Sequence, residues 1–420
     1  MPTAITLDNL NFADYVKPGD TVTWGQGCAE PLTLTKTLVR QRSMIGHFSI
    51  FVGLSFSDTL NNTHLDDFNV ISYGAMGSNT KLGSKLQILP GNYSSIPRII
   101  ADRTLPIDVV LVQLSPRGPD GHYSLGFAND YLIPAMQSAR LVIAEVNDQV
   151  PCTTLAQPLD ESLLDVVIHC SNAAIHGPSI AIGKTEKQIA SHLQDIIQDG
   201  AVIQYGIGSV PSAILSSLSQ HRRLGIYSGM LTEDVIPLIE SGVITNETNT
   251  IRPGITVGAL AIGGEDMRHF LHLNKEIELH PAAATHGARY LAQQDRLVAI
   301  NSAIEVDLYG QVNAEVIKNR YIGAVGGQVD FMHAASTQQD GLSIIAMPST
   351  TRDGSRSRIV ATLNTSLVTT GKSDVDIVAT EIGIADLRGK TIAQRMHALR
   401  DIAAPPFRDE LDKFTHRAPT

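Results

Sequence analysis

Cysteine is scarce in this chain. The three present, Cys28, Cys152 and Cys170, are too few and too scattered for a disulfide framework, and none belongs to a C-x-x-C pair, so neither a stapled scaffold nor a zinc site is expected. Long apolar runs are also missing. No stretch approaches the ~20 apolar residues of a membrane-spanning helix. The opening "MPTAITLDNLNFADYV" has no basic region followed by an apolar one, so no signal peptide is expected. Positive charge is in deficit: 32 Lys and Arg stand against 42 Asp and Glu, a net charge of −10. Surfaces that bind nucleic acid are usually basic, so no nucleic-acid partner is expected. What remains is a reduced, cytoplasmic, acidic globular protein without a membrane partner. Its 420 residues, 43% of them apolar, are enough to bury the cores of two domains.

A weak internal repeat organises those residues. "PGDTVTWGQGCAEPLTLTKTL" (18–38) and "QDGAVIQYGIGSVPSAILSSL" (198–218) each open on a polar turn. A short run rich in β-branched and aromatic residues follows, then G-x-G, a proline and an apolar helical pattern. Gly25 and Gly27 answer to Gly206 and Gly208, and the separation of 206 − 25 = 181 residues is about one domain. The unit reads as strand, tight glycine turn and helix, with Pro31 and Pro211 near the first helical turn, where a missing N–H does no harm. Such a turn either merely connects strand to helix or presents backbone N–H groups to an anion.

"IDVVLVQLSP" (107–116), "RLVIAEVND" (140–148) and "DGLSIIAMPST" (340–350) read as buried strands. "TEKQIASHLQDIIQDG" (185–200) reads as an amphipathic helix with Thr185 as N-cap and Ile189, Leu193, Ile196 and Ile197 on one face. A second helix carries Ile392, Met396, Leu399 and Ile402 on one face. The expected division is an N-terminal domain over 1–184 and a C-terminal domain over 185–420. A third glycine-rich stretch, "GAVGGQVDF" (323–331), puts three glycines within five positions. Glycine costs backbone entropy, so the chain there either adopts conformations closed to other residues or lets something come very close.

Three long strings, "AINSAIEVDLYGQVNAE" (299–315), "GAVGGQVDF" and "TEIGIADLRGKTIAQRMHALRDIAAPPFRDEL" (380–411), strongly resemble the acetyl-CoA hydrolase/transferase family. "WGQGCAEPLTL", "AEVNDQVP" and "VIQYGIGSVPSAI" fit its N-terminal and central signatures. The resemblance covers nearly the whole chain. It implies two tandem open α/β domains of the class I CoA-transferase type. It also implies an enzyme that moves CoA between an acyl-CoA and a small carboxylate of the acetate, butyrate or 4-hydroxybutyrate type. CoA thioester enters as a substrate, no separate cofactor is called for, and a homo-oligomer is possible. In this family a glutamate attacks the acyl-CoA, the resulting anhydride becomes a glutamyl-CoA thioester, and an incoming carboxylate takes the CoA. The glycine turns then suit a thioester lying against backbone N–H donors. On this basis Gly206, Ile207, Gly208, Gly326, Gly327, Gln328 and Lys390 are the expected oxyanion and CoA-binding residues.

At one position the chain departs from the family. The nucleophile belongs to a "G-[IV]-[HY]-[ST]-E-M" segment, and this chain reads "LGIYSGML", with Gly229 where the glutamate is expected. Slipping the register onto Glu233 misplaces the "DVIPLIESGVITN" that follows. Three explanations stand. Another carboxylate has taken over, with Asp58 in "VGLSFSDTL" and Glu30 beside the first G-x-G as candidates. Alternatively the protein is an acyl-CoA hydrolase, with water where the glutamate would sit. Or it binds CoA without chemistry. The plain readings of Asp58 and Glu30 are a turn residue and a first-turn helix charge.

Other residues weigh toward structure. Asp330 is read as a holder of turn N–H groups, and Glu305 and Asp307 as holders of neighbouring loops. Arg388 and Lys390 either pair with CoA phosphates or form a solvated charge pair. His47, His280 and His286 have no shared ligand spacing and are not expected to bind metal.

Overall fold

A computed structural model describes residues 2–363 and 367–415. Its contacts divide the chain into two units. The first comprises residues 1–178 together with 229–233 and 256–287; the second comprises 179–228, 234–255 and 288–420. The chain thus crosses from the second unit back into the first twice beyond residue 184, the expected division.

The first unit is built on eight parallel strands: β1 (Thr3–Ala4), β2 (Thr21–Trp24), β3 (Phe48–Phe51), β4 (Phe68–Ser72), β5 (Leu86–Ile88), β6 (Val109–Leu114), β7 (Leu141–Asn147) and β8 (Val166–Cys170). Their order is β1-β8-β7-β6-β2-β3-β4-β5. The central β6 is apolar but for Gln113 and is buried at every residue, as a parallel strand covered on both faces requires. From β2 the chain steps one way to β3, β4 and β5, then returns to place β6, β7 and β8 on the other side. The strand order therefore reverses between β2 and β6. The glycine turn after β2 leads into α1 (Leu32–Gln41). The returning segments add two short parallel pairs, 230–232 with 260–262 and 256–258 with 277–279.

The second unit repeats the plan with fewer strands: β9 (Val202–Tyr205), β10 (Gly225–Ile226), β11 (Leu297–Asn301), β12 (Leu342–Ala346), β13 (Ile377–Thr380) and β14 (Gly383–Asp386). The order is β10-β9-β11-β12-β13-β14, parallel except for the antiparallel hairpin β13–β14. The reversal falls beside β9, the counterpart of β2. Helices α2 (Lys184–Leu193), α3 (Ser209–Ser217), α4 (Gln328–Thr337) and α5 (Ile392–Asp401) belong to this unit. In α2, Ile189 and Leu193 are buried, as is Ile197 just past its end. Its N-cap is Gly183, whose N–H donates to Glu186 at 3.0 Å, so the cap falls two residues before the expected Thr185. In α5, Thr391 accepts from Gln394 N and Gln394 accepts from Thr391 N, a reciprocal capping box. Met396, Leu399 and Ile402 are buried there as the spacing predicts.

Candidate functional site

In an open parallel sheet the carboxyl ends of the strands at a reversal of strand order form the ligand crevice. In the second unit that place is the turn Gly206–Ile207–Gly208 between β9 and α3. Gly206 N donates to Ile300 O at 2.9 Å, and a side-chain carbon at Gly206 would stand 3.2 Å from Asn301 Oδ1. Gly208 has φ +132°, open to glycine and few others. Beneath the turn, Gln204 and Asn301 join by reciprocal amide hydrogen bonds, the shorter 2.9 Å. A cleft of about 1230 Å³ opens at this edge. Ile207, Gly208, Ser302, Glu305, Glu381 and the hairpin 350–358 are among its walls.

Three arginines reach the cleft from that hairpin. Arg358 is half-buried and donates to Ala303 O and Ile304 O, each at 3.0 Å. Arg352 and Arg356 are exposed, and neither forms an ion pair among the described residues. The turn that displays them is braced by Asp353, which accepts from Thr351 Oγ1, Ser355 N and Ser355 Oγ. Those donors hold the Asp353 carboxyl down to about 2. Opposite charge is present too: Glu381 accepts from Ser349 N at 2.8 Å and from its hydroxyl at 2.5 Å.

The glycines of 323–327 serve different ends. A side chain at Gly323 would stand 2.1 Å from Ala314 O, so this glycine permits a close backbone approach. Gly326 has φ +54°, and Gly327 caps α4. Because α4 leads into the parallel strand β12, it runs against the strands and brings its N-terminus to the same carboxyl edge as Gly206–Gly208. Gly326, Gly327 and Gln328 nevertheless stand outside the walls of the cleft; Gln328 donates to Thr370 Oγ1 at 3.0 Å. Asp330 lies in the first turn of α4. Asp307 is buried and accepts from Tyr309 N, Gln311 N and Gln311 Nε2, a loop-holding carboxylate. Lys390 follows the antiparallel β14 and so lies at the amino edge, the opposite end of the sheet from the cleft. Its neighbour Arg388 is gripped by Asp386 through two hydrogen bonds of 3.0 and 2.8 Å.

In the first unit the corresponding turn, Gly25–Gln26–Gly27, rests on a buried polar network that the sequence did not announce. Gln26 Nε2 donates to Tyr93 Oη (2.6 Å) and to Asp130 Oδ2 (2.8 Å). Gln26 Oε1 accepts from Leu54 N (2.9 Å) and Tyr73 Oη (2.7 Å). Asp130 also accepts from Tyr131 N and Leu132 N. Burial raises its carboxyl to about 6. His286 lies edge-on to Tyr93 at 4.8 Å, and burial lowers its imidazole to about 3, so it is neutral. His47 is instead beside Asn69 and His280 beside Glu278; the three histidines occupy separate environments.

The two candidate carboxylates share one region of this unit. The loop after β3 docks on the glycine turn, with Gly27 N donating to Leu54 O at 2.7 Å. Glu30 is buried and accepts from Thr35 Oγ1 (2.9 Å) and Thr59 Oγ1 (2.7 Å); desolvation raises its carboxyl. Asp58, one residue before Thr59, is exposed. Gly229 is half-exposed, and its carbonyl accepts from Ala259 N at 3.2 Å and Leu260 N at 3.3 Å. Its φ is not in the left-handed region, so its backbone admits a side chain. Glu233 accepts from Gly264 N at 2.6 Å, at the start of the helix Glu265–Leu271. Its carboxylate is a helix cap.

Residues 8–173 match the acetyl-CoA hydrolase/transferase N-terminal domain and residues 263–415 the C-terminal domain of the same family. A 4-hydroxybutyrate coenzyme A transferase of Clostridium kluyveri is 37% identical over 344 residues, 82% of this chain and 80% of that protein. The crystal structure of RipA from Yersinia pestis superposes with a TM-score of 0.93 at 27% identity, covering 99% of this chain and 97% of that one. A 4-hydroxybutyrate CoA-transferase from Porphyromonas gingivalis gives a TM-score of 0.84 at 30% identity, with the same coverage. Two open α/β sheets, a cleft at the carboxyl edge and these relatives agree: the chain belongs to the acetyl-CoA hydrolase/transferase family and is an enzyme of the CoA-transferase kind.

Proposed function

We propose that the protein moves CoA between an acyl-CoA and a small carboxylate of the acetate, butyrate or 4-hydroxybutyrate type. The observation that carries this reading is the cleft of about 1230 Å³ with Arg352 and Arg356 at its mouth. Pockets for compact ligands hold ~300–1,000 Å³, so this one suits an extended ligand. Unpaired guanidinium groups suit its phosphates. In this reading the nucleotide phosphates of CoA meet Arg352 and Arg356, and the backbone N–H groups of Ile207 and Gly208 on the cleft wall receive the thioester oxyanion.

With glycine at position 229, the acyl group needs another carboxylate. Asp58 is our first assignment and Glu30 our second. Asp58 is exposed and at the carboxyl edge of its sheet, whereas Glu30 is buried under two hydroxyl donors. The carboxylate oxygen attacks the thioester carbon, the C–S bond breaks, and CoA leaves as thiolate. The thiolate then attacks the enzyme carbonyl of the anhydride, releasing the first carboxylate and leaving an enzyme–CoA thioester. An incoming carboxylate reverses the two steps. One thioester replaces another throughout, so neither ATP nor a separate cofactor is required. The three free cysteines suit a reducing, cytoplasmic setting, and no helix among the described residues is long and apolar enough to cross a membrane.

The test is to incubate the protein with acyl-CoA and treat it with borohydride, which reduces an enzyme thioester. A reduced residue mapped to Asp58, absent in Asp58→Asn, supports the assignment. If Asp58→Asn turns over at the parental rate, Asp58 is not the nucleophile.

A further inference from the structure

The cleft of the second unit holds a third arginine whose donors are turned to the protein itself. Glu305 opens the strand Glu305–Asp307, which pairs in parallel with Ile359–Val360, Val306 opposite Ile359. That register sets Glu305 opposite Arg358, one strand spacing of ~5 Å away. Arg358 Nε donates to Ile304 O and its Nη2 to Ala303 O, each at 3.0 Å. Arg358 N donates to Ser349 O at 2.8 Å. Ser349 is buried, and its N–H and hydroxyl both donate to Glu381. Backbone pairing and one serine thus gather Glu305, Arg358 and Glu381 into a single group. All three are half-buried and line the same cleft as Ile207 and Gly208. Burial lowers the Arg358 guanidinium, and Glu305 and then Glu381 act against that lowering.

Charge decides what such a wall accepts. Two carboxylates stand against one guanidinium, a formal excess of one negative charge. The other two cleft arginines, Arg352 and Arg356, lie exposed at the mouth. A ligand group that reaches the wall therefore meets unmatched negative charge in a half-buried place. There a second carboxylate on the ligand would be desolvated against like charge, which is costly, whereas an ammonium group completes the balance. The wall is also near the reacting end. Ile207 and Gly208 follow β9, β11 is the immediate neighbour of β9, and Glu305 stands four residues past Asn301, the last residue of β11.

We infer that Glu305 and Glu381, arranged about Arg358, select an acceptor carboxylate whose far end carries an ammonium group, and turn dicarboxylates away. The inference rests on the reading that the thioester lies at Ile207 and Gly208, and it narrows the acceptor class of that reading. With acetyl-CoA as donor, the acetyl C–S bond breaks and a new C–S bond forms at the acceptor's carboxyl carbon. One acceptor oxygen passes to the enzyme carboxylate, and one of the enzyme's oxygens leaves with acetate. The ammonium group keeps its protons throughout and only positions the chain.

Three acceptors of matched length test this. β-Alanine is butyrate with ammonium in place of the terminal methyl, and succinate is butyrate with a carboxylate there. Each is mixed with the full chain and acetyl-CoA, and the new CoA ester is followed by mass spectrometry. kcat/KM should be ~10-fold higher for β-alanine than for butyrate, the lower range for a hydrogen bond to a charged group, and lowest for succinate. Glu305→Gln and Glu381→Gln keep the shape and remove the charge. Each should bring the β-alanine-to-butyrate ratio toward one and raise the succinate-to-butyrate ratio. Ratios are insensitive to a general loss of folded protein, so a destabilised variant still reports. A parent that uses succinate as well as β-alanine, or ratios unmoved in either variant, overturns the inference. Transfer to butyrate with β-alanine no better also overturns it, and leaves the transferase reading standing. Transfer to none of the three acceptors sinks that reading, and the inference with it.

Discussion

Replacing Arg352 and Arg356 together by glutamine should weaken acyl-CoA binding without touching the chemical step. Both side chains are exposed at the mouth of the cleft, on a turn braced by Asp353 rather than by their own guanidinium groups. The substitutions should therefore leave the fold intact. A hydrogen bond to a charged group contributes ~1.5–3 kcal/mol when well shielded, and exposed ion pairs contribute ~0.2–1 kcal/mol. About 1 kcal/mol for each arginine is the reasonable middle at an open rim. The pair then accounts for about 2 kcal/mol, close to a 30-fold rise in KM, with kcat unchanged because these contacts are alike in ground and transition states. The assay compares acyl-CoA with acyl-pantetheine, which carries the thioester but no nucleotide phosphates. The KM for acyl-pantetheine should not move. The effect on acyl-CoA should also shrink as salt is raised, since exposed charges are screened over ~10 Å at 0.1 M. An unchanged KM for acyl-CoA, or an equal rise for acyl-pantetheine, refutes phosphate recognition by these residues.

Two further outcomes follow. Gly229→Glu should fold, because φ at 229 is not left-handed, and should create or increase a borohydride-reducible enzyme–CoA thioester; a stable variant that binds acyl-CoA and shows no gain means the site has been rebuilt around another group. His286 carries the pH prediction. Its folded-state imidazole is lowered to about 3, below the ~6.5 of an unfolded histidine, so its contribution to stability is present above ~6.5 and falls as pH drops toward 3. Between pH 7 and pH 5 the loss is about 2 kcal/mol. The raised carboxyls of Asp130, Glu30 and Glu145 act in the opposite direction, but they are common to parent and variant and cancel in the difference. Denaturant titrations of His286→Gln should therefore lack that acid-side loss, and parallel pH profiles for the two proteins contradict the assignment.

Much of the architecture was legible because period and punctuation were strong. Near-continuous apolar runs gave β6, β7 and β12, and the repeat of strand, G-x-G and helix located the two strands beside which the sheets reverse order. The discontinuity of the units was not legible. Segments 229–233 and 256–287 pair with each other in their two short ladders and join the rest of the first unit through isolated bridges, Ala128 to Leu260, Asp130 to Pro281 and Leu155 to Leu279, between residues distant in sequence, and no local pattern encodes such a pairing. The candidate site divides in the same way. Ile207 and Gly208 could be placed on a cleft wall because a βα turn at a switch point leads there. Gln26, Tyr73, Tyr93 and Asp130 could not be associated, because their network joins four separate segments, Gln26 to Asp130 across 104 residues. Lys390 looked like a phosphate ligand by charge alone; the antiparallel turn of β14 carries it to the other end of the sheet. Arg352 and Arg356 belong to a polar hairpin, "TRDGSRSR", whose turn residues and charge carry no periodicity that points to a cleft. The i, i+2 pairing of Glu278 with His280 was readable too, once that segment is taken as a strand.

The central claim, CoA transfer to a carboxylate, is tested most directly by mixing the protein with butyryl-CoA and isotopically labelled acetate, without ATP, and following the CoA esters by mass spectrometry. The account predicts labelled acetyl-CoA appearing in step with the loss of butyryl-CoA and with free butyrate. Butyryl-CoA that binds but yields no labelled ester, with acetate or with 4-hydroxybutyrate as acceptor, contradicts it.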